Sequence, residues 1–97
     1  MRNEAVSVGT TAFQLAPLVK EGEREIISIK NTSTGGQKVT IAQGIGQTAV
    51  SGSGIVLNAG ESWVESIEST FAPSNEPYSI VADAANATIA FFERLRV

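Results

Sequence analysis

The sequence predicts an all-β domain, a single small antiparallel β-sandwich or barrel of about seven or eight short strands. The chain holds nine Val, nine Ile and eight Thr against four Leu, and β-branched residues fit pleated sheets better than helices. Nine Gly and ten Ser recur at short intervals and divide the chain into short segments in which apolar and polar residues alternate. Because 97 residues leave room for one domain, we expect residues 1–97 to close on themselves around one core.

The first part of the chain contains two short alternating segments, and Pro17 ends the second. Residues 5–8 and 11–16 are joined through a Gly-Thr pair, and their apolar positions are Val6, Val8, Phe13 and Leu15. Residues 1–16 are therefore either the first strands of the core or an N-terminal arm that pairs with a neighbouring subunit. Both interpretations stay open at this point.

The clearest strand runs from Arg24 to Asn31, where Ile27 and Ile29 face one way and the polar residues between them face the other. Ile26 breaks this alternation and indicates a bulge or an edge. A polar turn at 32–37 and a strand at 38–43 follow, so we expect two antiparallel strands joined by a turn. The next segment, 44–54, contains four Gly and is predicted to be a long exposed loop with a short strand inside it.

The C-terminal half alternates strands with turns. Strands are predicted at 55–57, 62–68, 78–82 and 87–95, with turns at 58–61 and 83–86 and a two-proline loop at 71–77. A helix over 82–94 is an alternative because Ala favours helices, but the residues at 88–92 favour a strand. The last strand carries Phe91 on one face and Phe92 on the other. It is therefore either a covered central strand or a strand whose Phe92 contacts another chain.

The composition argues against catalysis and against metal binding. The chain has no Cys and no His and a single aspartate, Asp83, so the usual nucleophile pairs, proton shuttles and metal-ligand sets are missing. We therefore expect no enzyme activity, no cofactor and no metal site. Three carboxylates, Glu61, Glu65 and Glu68, lie close together in the sequence, and we expect a solvated strand face there rather than an acid–base pair.

The glycine and aromatic motifs have similar structural explanations. The Gly-x-Gly pairs within 44–54 lack the third glycine of a dinucleotide fingerprint and a following Gly-Lys-Ser/Thr, so this loop is predicted to be mobile or to form an interface. Trp63 and Tyr78 are predicted to lie in the core. Phe71, in the two-proline loop, is the aromatic residue best placed for a surface contact.

The charge distribution disfavours nucleic acid and membrane partners. The net charge is −3, with about +1 in residues 1–48 and about −4 in residues 49–97, and nucleic-acid binding requires a basic footprint. No apolar run is long enough to cross a membrane, and the first residues lack the apolar run of a signal peptide. We expect a chain that is made in a cytoplasm.

Several sequence segments resemble a family of small β-sandwich virion proteins of tailed bacteriophages. The resemblance rests on the segments Arg24-Glu25-Ile26-Ile27-Ser28-Ile29, Asn31-Thr32-Ser33, Leu57-Asn58-Ala59-Gly60-Glu61-Ser62, Tyr78-Ser79-Ile80-Val81-Ala82 and Ala87-Thr88-Ile89-Ala90-Phe91-Phe92-Glu93. It begins near Glu23 and covers about three quarters of the chain, whereas the N-terminal quarter has no match.

The resemblance implies a virion protein of the head decoration or cement type, which binds the outside of a capsid and contacts the major capsid protein or another virion protein. It would act by adhesion as a homo-oligomer, with many copies adding small binding energies. The residues expected at the interface are Val6, Val8, Phe13, Gly44, Ile45, Val50, Phe71 and Phe92. Two alternatives stay open, a tail, neck or spike subunit and a carbohydrate-binding β-sandwich module.

Overall fold

The structure, a computed structural model, describes residues 2–20, 23–66 and 75–95. These residues form eight strands and no helix. The strands are β1 (Arg2–Val8), β2 (Phe13–Ala16), β3 (Arg24–Asn31), β4 (Val39–Gln43), β5 (Ile55–Leu57), β6 (Ser62–Ser66), β7 (Tyr78–Ala82) and β8 (Ala87–Leu95). The all-β prediction is therefore confirmed, and the alternative of a helix over 82–94 is wrong. The predictions for Glu68 and Phe71 fall outside the described residues.

The eight strands form two four-stranded antiparallel sheets. Sheet A has the order β1-β8-β3-β6 and sheet B the order β2-β7-β4-β5. Strand pairs are nested along the chain, because β1 pairs with β8, β2 with β7, β3 with β6 and β4 with β5. This is the pairing of a long two-stranded ribbon rolled into a double-sheet sandwich, the jelly-roll arrangement.

The core lies between the two sheets and is built by the predicted alternation. Ile27 and Ile29 of β3 point inward while Lys30 is exposed, and in β7 the inward residues are Tyr78, Ile80 and Ala82. The buried apolar cluster comprises Val8, Leu15, Ala16, Ile27, Ile29, Val39, Ile41, Leu57, Tyr78, Ile80, Ala82, Ala87, Ile89 and Phe91. Trp63 packs against its edge. The prediction of a core position is confirmed for Tyr78 and confirmed in part for Trp63, which is half-buried.

A bulge near the start of β3 changes which side chains face the core. Arg24 is opposite Leu95 of β8 and Ile26 is opposite Arg94, so Glu25 is one extra residue on β3. The bulge predicted from Ile26 is confirmed. Because it reverses the alternation at this point, Arg24 is buried although strict alternation from Ile27 would direct it outward.

The turn at 32–37 connects the two sheets, so the predicted pairing of the strands on either side of it is wrong. β3 belongs to sheet A and β4 to sheet B. Asn31 fixes this crossover: its Nδ2 donates to the carbonyl oxygens of Gln37 and Leu57 at 2.8 and 2.9 Å, and its Oδ1 accepts from the Ser33 N–H at 3.0 Å. The fully buried amide thereby satisfies three backbone groups and ties sheet A to sheet B.

Residues 2–16 belong to the sandwich. β1 forms one edge of sheet A along its whole length with β8, and β2 forms one edge of sheet B. The side chain of Val8 is part of the core, and Val6 packs against it. Of the two alternatives for this part of the chain, the structure agrees with the first: the described residues form core strands of the sandwich and not a separate arm.

Candidate interaction surfaces

Residues 44–54, hereafter the flap, connect β4 to β5 and lie on the outer face of sheet B. The Ala49 N–H donates to Ser79 Oγ and the Gly52 N–H donates to Thr40 Oγ1, each at 3.0 Å. Thr40 and Ser79 alternate with inward residues of β4 and β7, yet both are buried, as is Ala49. The prediction of a long exposed loop is confirmed for residues 45–48 and 50–54, which are exposed, and is wrong for Ala49, which is buried against the sheet.

Glycine at both ends allows the flap to turn back on the sheet. Gly44 and Gly54 have φ values of 125° and 132°, which L side chains rarely adopt. A Cβ atom on Gly54 would also lie 3.0 Å from the Ile41 carbonyl oxygen. A short turn closed by the Ser53 N–H bonding to the Val50 carbonyl oxygen at 2.9 Å lies between these ends. The glycines are thus required by the path of the chain.

The flap presents two large apolar side chains to solvent. Ile45 is 69% exposed and Val50 is 62% exposed. The backbone on either side of Val50 is held in place, because the Ser79 hydroxyl accepts from Ala49 and the Thr40 hydroxyl accepts from Gly52. Because the backbone of this loop is already held in place, it loses little conformational freedom when the exposed apolar side chains bind a partner. The loop is therefore well suited to a protein contact. That Gly44, Ile45 and Val50 form an interface stays a prediction, and the surface that it concerns is the flap.

The outer face of sheet A is the second candidate surface. Phe92 lies near its centre, on the strand between β1 and β3, and is half-buried. Ser28 of β3 stands between Phe92 and Val64 in the register of the sheet, and Val64 is 53% exposed. This face therefore carries a few apolar side chains among small polar residues and the charged Lys30 and Arg94, which suits a contact surface better than a catalytic cleft.

A polar cluster of Arg24, Glu93, Glu65, Tyr78 and Gln43 lies between the sheets, at the end where β2 leads to β3 and β6 leads to β7. Arg24 Nε donates to Glu93 Oε2 at 2.8 Å, with side-chain exposures of 0% and 4%. The same guanidinium donates to the backbone carbonyls of Glu76 and Pro17 at 3.0 Å each and lies over the Tyr78 ring. This buried charge is thus paired and hydrogen-bonded, as burial requires.

The other part of the cluster consists of Glu65 and Gln43, which both bond to the Tyr78 hydroxyl. This hydroxyl donates to Glu65 Oε1, and Gln43 Nε2 donates to both of these groups at 2.9 and 3.0 Å. Burial raises the pKa of the Tyr78 phenol well above its usual range, and the hydrogen bond to Glu65 and its negative charge add to the rise. The phenol therefore stays neutral and acts as a hydrogen-bond donor. Glu65 is half-buried and directed inward, so the expectation of a solvated strand face is wrong for this residue.

The cluster does not assemble an acid–base pair at an open site. Glu65 and Glu93 both lie opposite Ile27 in the register of sheet A, one on each side of β3, so their backbones are separated by two strand spacings, roughly 9.6 Å. The Glu93 carboxylate accepts a hydrogen bond from Arg24, and the Glu65 carboxylate accepts hydrogen bonds from Tyr78 and Gln43. The exposed Glu61 instead accepts the Asn58 N–H in its turn at 2.7 Å. These carboxylates serve the fold.

A shallow cleft lies beside the flap, against the exposed residues of β2. It has a volume of about 300 Å³ and is lined by uncharged groups, among them Phe13, Gln14, Gln47, Thr48 and Ser79. Phe13 is more than one third exposed. Amide and hydroxyl groups beside an exposed aromatic ring are suited to a neutral ligand that carries hydroxyl groups.

The predicted interface residues are dispersed over the molecule. Val6 and Val8 point into the core, Phe13 borders the cleft and Phe92 lies on the outer face of sheet A. Gly44, Ile45 and Val50 lie together in the flap, with Ile45 and Val50 exposed. The anchoring role of Thr40 and Ser79 was not apparent from the sequence, although their alternation with apolar residues places them on one sheet face.

Comparisons with family models, with curated proteins and with solved structures find no match to this chain. Within residues 2–20, 23–66 and 75–95, no group of three metal-binding side chains comes together. Nor does this described part of the chain form a helix that is long and apolar enough to cross a membrane.

Proposed function

We propose that this chain is a structural virion protein that binds the outer surface of a capsid and stabilises the head. The observation that carries the proposal is the jelly-roll pairing of β1 with β8, β2 with β7, β3 with β6 and β4 with β5. Viral capsid domains are a major group of proteins built on this arrangement. Because a fold hosts many functions, the proposal also depends on the surface that the fold displays.

The flap supplies that surface. Ile45 and Val50 are exposed on a segment that two side-chain hydroxyls already hold in place. A contact of this size is weak for one copy, but a capsid lattice binds many copies, and repeated weak contacts add up through avidity. We expect the major capsid protein to receive these two side chains in a shallow apolar site.

The function of the polar cluster is structural in this proposal. Its ionised groups are paired with protein partners inside the sandwich, which leaves adhesion rather than chemistry as the activity that the described residues support. A fully paired buried network helps to keep the two sheets in one arrangement.

Co-sedimentation with capsids tests the proposal. Capsids assembled without this chain are mixed with the purified wild type, with an Ile45→Ser/Val50→Ser double variant, and with Leu18→Ser as a control that alters an exposed apolar residue outside the flap. We expect the wild type and the control to sediment with the particles and the double variant to stay in solution with an unchanged circular dichroism spectrum. Absence of wild-type binding would refute the proposal, and equal binding by all three would refute the assignment of the flap.

A carbohydrate-binding module is the second candidate, favoured by the uncharged cleft beside Phe13 and Gln14. Jelly rolls are also used by lectins. Retention of the wild type on a polysaccharide column, with loss of retention in Phe13→Ala, would support this candidate over capsid binding. A matched control is Phe92→Ala, because Phe92 lies on the other sheet.

A further inference from the structure

The charged side chains are divided unequally between the two sheets. Each strand of sheet A carries at least one of the seven Lys or Arg and ten Asp or Glu of the chain. The four strands of sheet B and the flap, all within the described part of the chain, contain none. The longest uncharged stretch, residues 39–60, comprises β4, the flap, β5 and the turn that follows. The side chains that these strands and the flap present are therefore all uncharged.

Charged residues lie at the two ends of this face. At one end, the Lys38 N–H donates to Asp83 Oδ1 at 2.9 Å and the Asp83 N–H donates to the Lys38 carbonyl oxygen at 3.0 Å, where β4 begins and β7 ends. At the other end, a Cβ atom on Gly44 would lie 3.7 Å from Glu76 Oε2. An uncharged centre with polar groups at its margin is the composition of a protein–protein interface, whose core is depleted of charged residues.

Val56 extends the apolar part of the flap onto the sheet itself. It lies opposite Thr40 in the register of β4 and β5, and Thr40 accepts the Gly52 N–H at 3.0 Å. The turn that carries Val50 is therefore beside Val56, and the two side chains are 62% and 37% exposed. Burying two neighbouring aliphatic side chains against apolar groups of a partner is favourable.

The lack of charge determines which partner surface fits. Burying an ionised side chain costs free energy unless it is paired, and the strands of sheet B and the flap offer no charged side chain as a partner. A surface that is itself uncharged and carries aliphatic groups meets no such cost. The face therefore selects against strongly charged surfaces.

We propose that the flap and Val56 together bind an uncharged, aliphatic protein surface, and that the binding is hydrophobic rather than electrostatic. This inference rests on the proposed function, in which that surface belongs to the major capsid protein. It adds Val56 to the contact and defines the chemistry of the partner. The affinity should then be nearly independent of salt, because screening acts on charged groups.

The first measurement is the salt dependence of capsid binding. Capsids assembled without this chain are titrated with the wild type in about 0.1 M and about 1 M NaCl, between which the Debye length falls from about 10 to about 3 Å. We expect the dissociation constant to change by less than about threefold, because the contact contains no ion pair to screen. A larger loss of affinity at the higher salt would overturn the inference and leave capsid binding itself standing.

The second measurement places one positive charge on each sheet. Val56→Lys introduces it beside the flap, and Val64→Lys is the matched control, because Val64 is an exposed valine on the edge strand of the other sheet. We expect Val56→Lys to bind capsids at least about tenfold more weakly than the wild type and Val64→Lys to bind as the wild type does. Both variants should keep the circular dichroism spectrum of the wild type. Equal binding by the two variants would overturn the assignment of the face.

Two further outcomes distinguish this inference from the proposed function. If the wild type binds no capsids at either salt concentration, the proposed function is refuted and this inference with it. If the wild type is retained on a polysaccharide column and Val56→Lys abolishes the retention, the uncharged face binds carbohydrate and the protein partner is wrong.

Discussion

Arg24 and Glu93 form a buried ion pair between two adjacent strands of sheet A, with 2.8 Å between Arg24 Nε and Glu93 Oε2. The bulge at Glu25 brings the arginine to the inner face, where it also bonds the backbone carbonyls of Pro17 and Glu76. One side chain thus holds β3, β8 and two connecting segments together.

We expect Arg24→Met to destabilise the fold by about 3–5 kcal/mol, because it leaves the Glu93 carboxylate buried without its partner. Urea unfolding followed by Trp63 fluorescence measures this loss. Arg94→Met is the matched control, since Arg94 pairs with Glu25 on the exposed face and surface pairs contribute about 0–1 kcal/mol. Equal losses in the two variants would contradict the structural role of Arg24.

The Tyr78 phenol is expected to resist ionisation in the folded protein. Burial and Glu65 raise its pKa, whereas the unfolded chain titrates near the ordinary value of about 10. The folded state then binds more protons than the unfolded state above about pH 10, so stability falls as pH rises through that value. Tyr78 is the only tyrosine, so ultraviolet titration of phenolate reports on it alone. Ionisation of the native phenol near pH 10 would contradict the burial of Tyr78. In the Tyr78→Phe variant, the fall in stability above pH 10 that Tyr78 causes should be absent.

Asn31 is expected to be one of the most sensitive polar positions. Asn31→Ala leaves the carbonyls of Gln37 and Leu57 and the N–H of Ser33 without their partner, at about 1–3 kcal/mol for each buried group that water cannot reach. Thermal unfolding should show a large drop in melting temperature. Asn58→Ala, at an exposed turn position, serves as the control and should melt close to the wild type. A small effect at Asn31 would mean that the crossover between the sheets does not depend on this amide.

The flap should loosen when its hydroxyl acceptors are removed. Thr40→Val and Ser79→Ala each remove one hydrogen bond to a flap amide, worth about 0.5–1.5 kcal/mol. We expect amide hydrogen exchange at Ala49 and Gly52 to accelerate by about two- to twelvefold, with little change in global stability. Ser7→Ala on the exposed side of β1 is a matched control. Unchanged exchange at both amides would show that the hydroxyls do not anchor the flap.

The strands and the fold class were predictable because alternation and turn residues are local signals. The extent of β8 and the inward phase of Ile27 and Ile29 follow directly from the sequence pattern. The pairing order was not predictable, since adjacent strands such as β3 and β4 look like a hairpin, and the buried Asn31 amide is one of several non-local contacts that hold the chain where it crosses to the other sheet.

The candidate surfaces were harder to predict than the strands. Alternation from Ile27 places Arg24 on the outer face, and only the extra residue at Glu25 reverses this. Glycine content marked the flap as irregular, but its position on sheet B depends on hydroxyls more than ten residues away in the chain, such as Thr40 to Gly52. Non-local contacts of this kind leave no periodic pattern in a single sequence.

The most direct test of the proposed function is the temperature at which filled capsids lacking this chain release their DNA, measured with and without saturating protein. We expect the release temperature to rise on addition of the wild type and to stay unchanged with the Ile45→Ser/Val50→Ser variant. An unchanged release temperature with saturating wild-type protein would contradict the proposal that this chain binds and stabilises the head.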